Sequence, residues 1–212
     1  MIKEMTDNHL EIIYKVMMKR IVKGYSPVQL SFLIGRPQDY VERVEAFQLP
    51  CYTTGEISVI ALALADEDYK SYFPIVRYDD ILRVTIEKTR RNNKYYYECY
   101  TYIRIQTPYL RFMITEDAPE SQVLKAAAMD PMNFSVVQDA ILIIAGEGFF
   151  SIPRLPLDIF HRVNTLLSTT VNIYTLELAV KWFSSDGDLL EQLVNKQQRY
   201  SFRQIFVNAI NN

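Results

Sequence analysis

The residues able to do chemistry are few and scattered. The chain has 212 residues with two histidines and two cysteines. His9 stands beside Asn8 at the start of a helical pattern, and His161 lies mid-helix beside Arg162. Neither has an acid or thiol partner at a useful spacing for proton transfer. Cys51 and Cys99 are far apart, match no zinc spacing, and are expected to stay unpaired in a chain without a secretory leader. Asp66-Glu67-Asp68 could attract a cation, but a solvated helix start accounts for it. Gly146-Glu147-Gly148 reads as a helix stop. Phosphate loops, nucleophile elbows and zinc-binding helices are absent. The expectation is a protein that is not an enzyme and needs no metal or cofactor.

A different set of side chains could read nucleic acid. Gln pairs with adenine and Arg with guanine in the major groove. Residues 36–43, RPQDYVER, hold Arg36, Gln38, Asp39, Glu42 and Arg43, and Gln29 lies a short way upstream. Eight basic residues against four acidic ones between 77 and 111 give that stretch a net charge of +4. Arg90, Arg91 and Lys94 cluster there at a turn. Lys181, Lys196 and Arg199 form a thinner basic set near the C-terminus. The whole chain carries −2, so binding to a polyanion must come from a local patch and must weaken with salt.

Helices are expected to position the first set. Asn8 and Glu11 could form a capping box, and Leu10, Ile13, Met17 and Ile21 recur at helical spacing. Gly24 stops that helix. Ser26 caps the next, with Pro27 at its first turn and Val28, Leu30, Leu33 and Ile34 as its buried face. Gly35 ends it, and Pro37 opens a third helix with Tyr40, Val41 and Val44 inward. Thr53 or Thr54 caps a fourth, and DEDYKSYFP suggests a fifth.

Two short helices joined at a glycine form a helix-turn-helix. Gly24-Tyr25-Ser26, Gln29-Leu30, Leu33-Ile34-Gly35, Tyr40-Val41 and Arg43-Val44-Glu45 follow one another in a spacing that resembles the N-terminal domain of phage-repressor-like (Cro-like) transcription regulators. The resemblance covers roughly the first third of the chain. It implies a third helix in the major groove, with Arg36, Gln38, Asp39, Glu42, Arg43 and Gln29 toward DNA, and a homodimer on two half-sites.

Beyond residue 75 the pattern changes. LRVTIEKT, a turn at RRNNK, YYYECYTYIRI and LRFMI read as an antiparallel meander. The Tyr run suits a sheet face or dimer interface. Residues 116–133 read as a connector with a short helix over Ser121–Met129. From 134 on, the order is helix to Ala145, helix from Pro156 to Leu167, helix after Asn172, then a hairpin with NKQQ at its tip. That order is similar to a winged helix. It would place Glu177 and Lys181 on a reading helix and Lys196, Gln197, Gln198 and Arg199 on the wing, with Trp182 in the core.

The expected fold is mainly α with a small antiparallel β-meander (α+β). Its parts are a five-helix repressor-like bundle at 1–75, a meander and connector at 76–133, and a winged-helix-like unit at 134–212. Arg90, Arg91, Lys94, Lys181, Lys196 and Arg199 are candidate backbone contacts. No apolar run is long enough to span a membrane, and a cytoplasmic protein is expected. The expected function is DNA-binding regulation of transcription. The alternative is a protein-interaction module whose acidic helix (Asp39, Glu42, Glu45) is the docking face. The sign of the charge around the third helix separates the two.

Overall fold

The computed structural model describes residues 2–75, 80–102, 107–118, 131–185 and 189–205. It is a mixed α+β protein: the described residues form seven α-helices, a four-stranded antiparallel sheet and a two-stranded sheet. The chain divides into two compact units, residues 1–31 with 38–119, and residues 32–37 with 120–212.

The first unit opens with a strand that the sequence pattern does not announce, β1 (Lys3–Thr6). Helix α1 (Asp7–Lys23) follows at once. Its cap is Thr6, whose hydroxyl accepts from the His9 amide at 3.2 Å, in place of the expected Asn8–Glu11 box. Asp7 in its first turn and Arg20 and Lys23 in its last complement the helix dipole. Gly24 closes it at φ 78°, a left-handed conformation that glycine adopts freely. Helix α2 (Pro27–Leu33) is capped reciprocally: the Gln29 amide donates to the Ser26 hydroxyl at 3.2 Å, and the Ser26 amide to Gln29 Oε1 at 2.8 Å. Helix α3 is Tyr40–Glu45. Helix α4 (Thr54–Ala63) starts from a Thr53–Glu56 capping box. The expected fifth helix is one 3₁₀ turn, Tyr69–Tyr72. Asp68 caps that turn through the Lys70 amide, and Pro74 bars its extension. Four helices and a turn therefore replace the five-helix bundle.

Strands β2 (Ile81–Arg91), β3 (Lys94–Tyr102) and β4 (Pro108–Asp117) complete the sheet in the order β1-β2-β3-β4. Asn92 and Asn93, both at positive φ, make the two-residue turn between β2 and β3. Side chains alternate across β3. Tyr95, Tyr97 and Cys99 face α1, where Met17 packs with Tyr97 and Ile114, and Ile86 and Phe112 close the cluster. The meander thus shares one core with α1 and belongs to the first unit.

In the second unit, α5 (Pro131–Gly146), a 3₁₀ turn (Phe149–Ser151), α6 (Pro156–Leu167) and α7 (Ile173–Ser185) precede the hairpin β5 (Leu190–Val194) and β6 (Tyr200–Gln204). Asp158 accepts the Leu155 amide at the start of α6, and Asn172 accepts the Tyr174 amide at the start of α7. One side of β6 pairs with β5. On its other side Phe202 exchanges two 2.8 Å backbone bonds with Arg154, and the Tyr200 amide donates to Gly35 O at 2.8 Å. The segment 32–37 is thereby part of this unit. The helix expected over Ser121–Met129 lies outside the described residues.

Candidate nucleic-acid interface

Helix α3 is short, and its two faces are sharply divided. Val41 and Val44 are fully buried, and the Val41 amide donates to the Ser31 hydroxyl at 3.0 Å. Tyr40 donates to Glu56 Oε1 at 2.7 Å, tying α3 to the start of α4. Gln38, Asp39, Glu42 and Arg43 are exposed. Asp39 and Arg43 form a loose i,i+4 pair at 3.5 Å. Glu42 accepts from Lys88 Nζ of β2 at 3.0 Å.

Lys88 was missed in the sequence as a member of this site. Its ammonium sits 4.5 Å from the Tyr95 ring centroid, a cation–π contact that holds it in place while it meets Glu42. Arg90 lies two residues on, so it faces the same side of the sheet. Its guanidinium is 5.9 Å from the same ring and donates to Asn93 Oδ1 at 3.2 Å. Lys94 pairs with Asp117 at 3.4 Å. The Glu42–Lys88 contact therefore joins the outer face of α3 to the strand leading to the basic turn. On the side of the sheet that meets α3 the exposed cations are Arg43, Lys88 and Arg90, and the exposed carboxylates are Asp39 and Glu42, a net of +1; Arg91, Lys94 and Asp117 alternate to the other side.

Below α3 lies a buried ionic cluster. Arg20 donates to Glu45 (Nε–Oε1 2.7 Å), to Glu116 (Nη1–Oε1 2.7 Å) and to the Tyr25 carbonyl at 2.6 Å. Tyr97 donates to Glu116 Oε2 at 2.7 Å. Burial opposes charge on Arg20, but the Glu45 and Glu116 carboxylates outweigh it and hold the guanidinium firmly protonated. Burial pushes the Glu45 carboxyl up, against the attraction of Arg20. Burial and then Glu116 push the Tyr97 phenol up. A cavity of about 70 Å³ between Glu42, Glu45, Ile86, Lys88 and Tyr97 separates this cluster from the surface pair.

Two residues expected at the groove are used elsewhere. Gln29 is buried, and its Oε1 accepts the Ser26 amide in the α2 cap. Arg36 is buried within the second unit, where its guanidinium donates to the Gln197 carbonyl in the β5–β6 turn.

In the second unit Lys181 is exposed and pairs with the buried Glu177 at 2.7 Å. Lys196 is exposed and Arg199 half-buried; Asn195 Oδ1 shapes their turn by accepting the Gln197 and Arg199 amides. Trp182, expected in the core, is 40% exposed. Phe183 takes the core position, and Trp182 lies along its ring edge at 4.9 Å between centroids. The exposed side of α7 carries Leu178, Lys181, Trp182 and Ser185.

The candidate chemical groups are tied into the fold. The Asp66 carboxylate is held below the usual range by its bond from Lys19, and Asp66 Oδ1 accepts the Asp68 amide. Cys51 and Cys99 are free thiols, each pushed up to about 12 by burial. Among the described residues no three His, Cys, Asp or Glu side chains group as a metal site, and no helix is long and apolar enough to cross a membrane. Comparison of the chain with protein-family models, with curated proteins and with solved structures finds no match.

Proposed function

We propose that this chain is a non-enzymatic DNA-binding regulator that acts as a homodimer. In the first unit Gln38, just before α3, and Arg43 of α3 face base edges, and Arg90, Arg91 and Lys94 hold phosphates. The observation that carries this reading is the 3.0 Å Lys88–Glu42 pair. It offsets the carboxylate most adverse to a phosphate backbone and sets the basic β2–β3 turn beside α3. The resulting positive surplus has the sign a duplex attracts. In the second unit the order helix, bridging residue, two helices and hairpin is similar to a winged helix, with Lys181 and Lys196 as added backbone contacts.

The test is selection from a random duplex pool at two salt concentrations. Enrichment of a palindromic motif, weakened by salt and lost in Arg43→Ala and in Arg90→Ala/Arg91→Ala, supports the reading. Loss in Lys181→Ala/Lys196→Ala assigns a share to the second unit. Absence of enrichment at low salt overturns it.

A second reading rests on α7. Leu178 and Trp182 are each 40% exposed on one helix face, an apolar pair better suited to a protein surface than to phosphate. Under that reading the module docks a protein, and the duplex selection returns nothing.

A further inference from the structure

The four-stranded sheet has two unequal edges. β1 is four residues long and carries Lys3 and Glu4, the kind of short charged edge that discourages pairing. β4 is ten residues long, and no described residue pairs with its outer side. Its exposed side chains include Tyr109 (62%), Leu110 (46%) and Met113 (55%). A bulge at Arg111 interrupts the ladder with β3, and from Phe112 to Asp117 the register is regular. The Arg111 charge is taken by Asp7 at 3.1 Å.

A cleft of about 310 Å³ involves the same strand, with Leu10, Tyr14 and Phe112 among its lining residues. Its charges are compensated within the unit, Asp7 by Arg111 and Glu11 by Lys15 at 2.7 Å. Among the described residues this edge therefore offers unpaired backbone, apolar side chains and no uncompensated charge to select an acidic or basic peptide. It also does not repel its own copy. A strand laid antiparallel to itself about a twofold axis matches donors to acceptors without any further adjustment. Centred on Ile114, such pairing sets Met113 opposite Thr115 of the second copy, twice, with no like charges across the ladder on that face.

We propose that β4 is the self-association edge of this protein, and that two copies join their sheets through it. The surface is argued from the first unit alone and holds whether or not the chain reads DNA.

Sedimentation of the full chain without DNA, across a wide range of concentration, tests it. The wild type should form a dimer, and Met113→Lys/Thr115→Lys should shift it to monomer by weakening association at least roughly tenfold. Both positions are exposed, so circular dichroism should be unchanged. Ile81→Lys, 71% exposed near the opposite edge, should leave the dimer intact. Amide hydrogen exchange on the wild type should show protection in β4 that rises with concentration. A wild type that is monomeric throughout, a dimer that survives the double lysine variant, or exchange in β4 that ignores concentration would each overturn the proposal.

Discussion

Arg20 and Glu45 are joined by two parallel bonds, Nε to Oε1 at 2.7 Å and Nη2 to Oε2 at 2.9 Å, and their side chains are 0% and 3% exposed. Glu116 of β4 meets the same guanidinium, so one side chain of α1 holds both α3 and the sheet. Removing the shared partner should cost more than removing one carboxylate. Arg20→Ala leaves two buried carboxylates facing each other and should destabilise the first unit by about 3–5 kcal/mol. Glu45→Ala leaves the Arg20–Glu116 pair and should cost less. Urea unfolding followed by circular dichroism gives both values, and the reverse order would mean that the cluster is not what anchors α3.

The same cluster predicts a pH dependence. Arg20 contributes one positive charge against the two negative charges of Glu45 and Glu116, and burial raises Glu45. The folded state then binds more protons than the unfolded chain between the ordinary glutamate range and the raised folded value. Stability from this group is therefore present at and below the ordinary range and is lost as pH rises through the folded value. Glu45→Gln cannot ionise and should remove that component. Urea midpoints at a series of pH values should fall with rising pH in this window for the wild type and flatten in the variant. Parallel profiles would show that Glu45 does not titrate there.

Much of this architecture was readable from local pattern. Pro156 to Leu167, Asn172 as a cap, the Asn92–Asn93 turn and the β5–β6 hairpin are all places where side-chain chemistry decides backbone conformation within a few residues. Most of the misses are long-range. β1 is too short to show a period and exists because Lys3–Thr6 pair with Ile81–Val84. The fate of Arg36 depends on Gln197, 161 positions away. The cap made by Gln29 is local, its oxygen accepting the Ser26 amide three residues back. Lys88 looks like one of many basic residues until Glu42 and Tyr95 close around it. Trp182 and Phe183 are adjacent aromatics on one helix, and sequence alone does not say which one turns inward.

Two glycines with similar backbone angles should respond very differently to alanine. Gly24 and Gly35 have φ of 78° and 69°. A Cβ on Gly24 meets nothing within 4 Å, so Gly24→Ala should cost only the left-handed penalty, about 1–2 kcal/mol. A Cβ on Gly35 would lie 2.4 Å from the Tyr200 carbonyl oxygen. That contact is backbone on backbone, and the Tyr200 amide already bonds to Gly35 O. Gly35→Ala should therefore cost clearly more than Gly24→Ala and loosen the β5–β6 hairpin. Hydrogen exchange of the Tyr200 and Phe202 amides reports the loosening, and equal costs for the two variants would contradict the tight approach.

Trp182 is the chain's only tryptophan, so its fluorescence reports one site. At 40% exposure against the edge of Phe183, it should be quenched by acrylamide in the native protein, less strongly than after unfolding. If α7 forms the protein-docking face, the bound partner should shield it and shift its emission to the blue. If only the first unit binds duplex, adding DNA should leave quenching unchanged. A native tryptophan wholly protected from acrylamide would contradict the exposure of this face.

The Lys88–Glu42 pair makes the sharpest prediction for DNA binding. Both side chains are largely exposed, 36% and 52%, so the pair should add at most roughly 0.2–1 kcal/mol to folding. Its weight lies in the field around α3. Glu42→Gln should strengthen duplex binding by removing a repelling carboxylate. Lys88→Ala should weaken it by uncovering that carboxylate. In the Glu42→Gln background Lys88→Ala should do less harm, because no carboxylate remains to uncover. The difference between the two effects is the coupling energy of a double-mutant cycle. Affinity titrations of the four proteins on one selected duplex measure it. Equal losses from Lys88→Ala in both backgrounds would mean that Lys88 acts only as a direct phosphate contact and that the pair does not set the charge of this face.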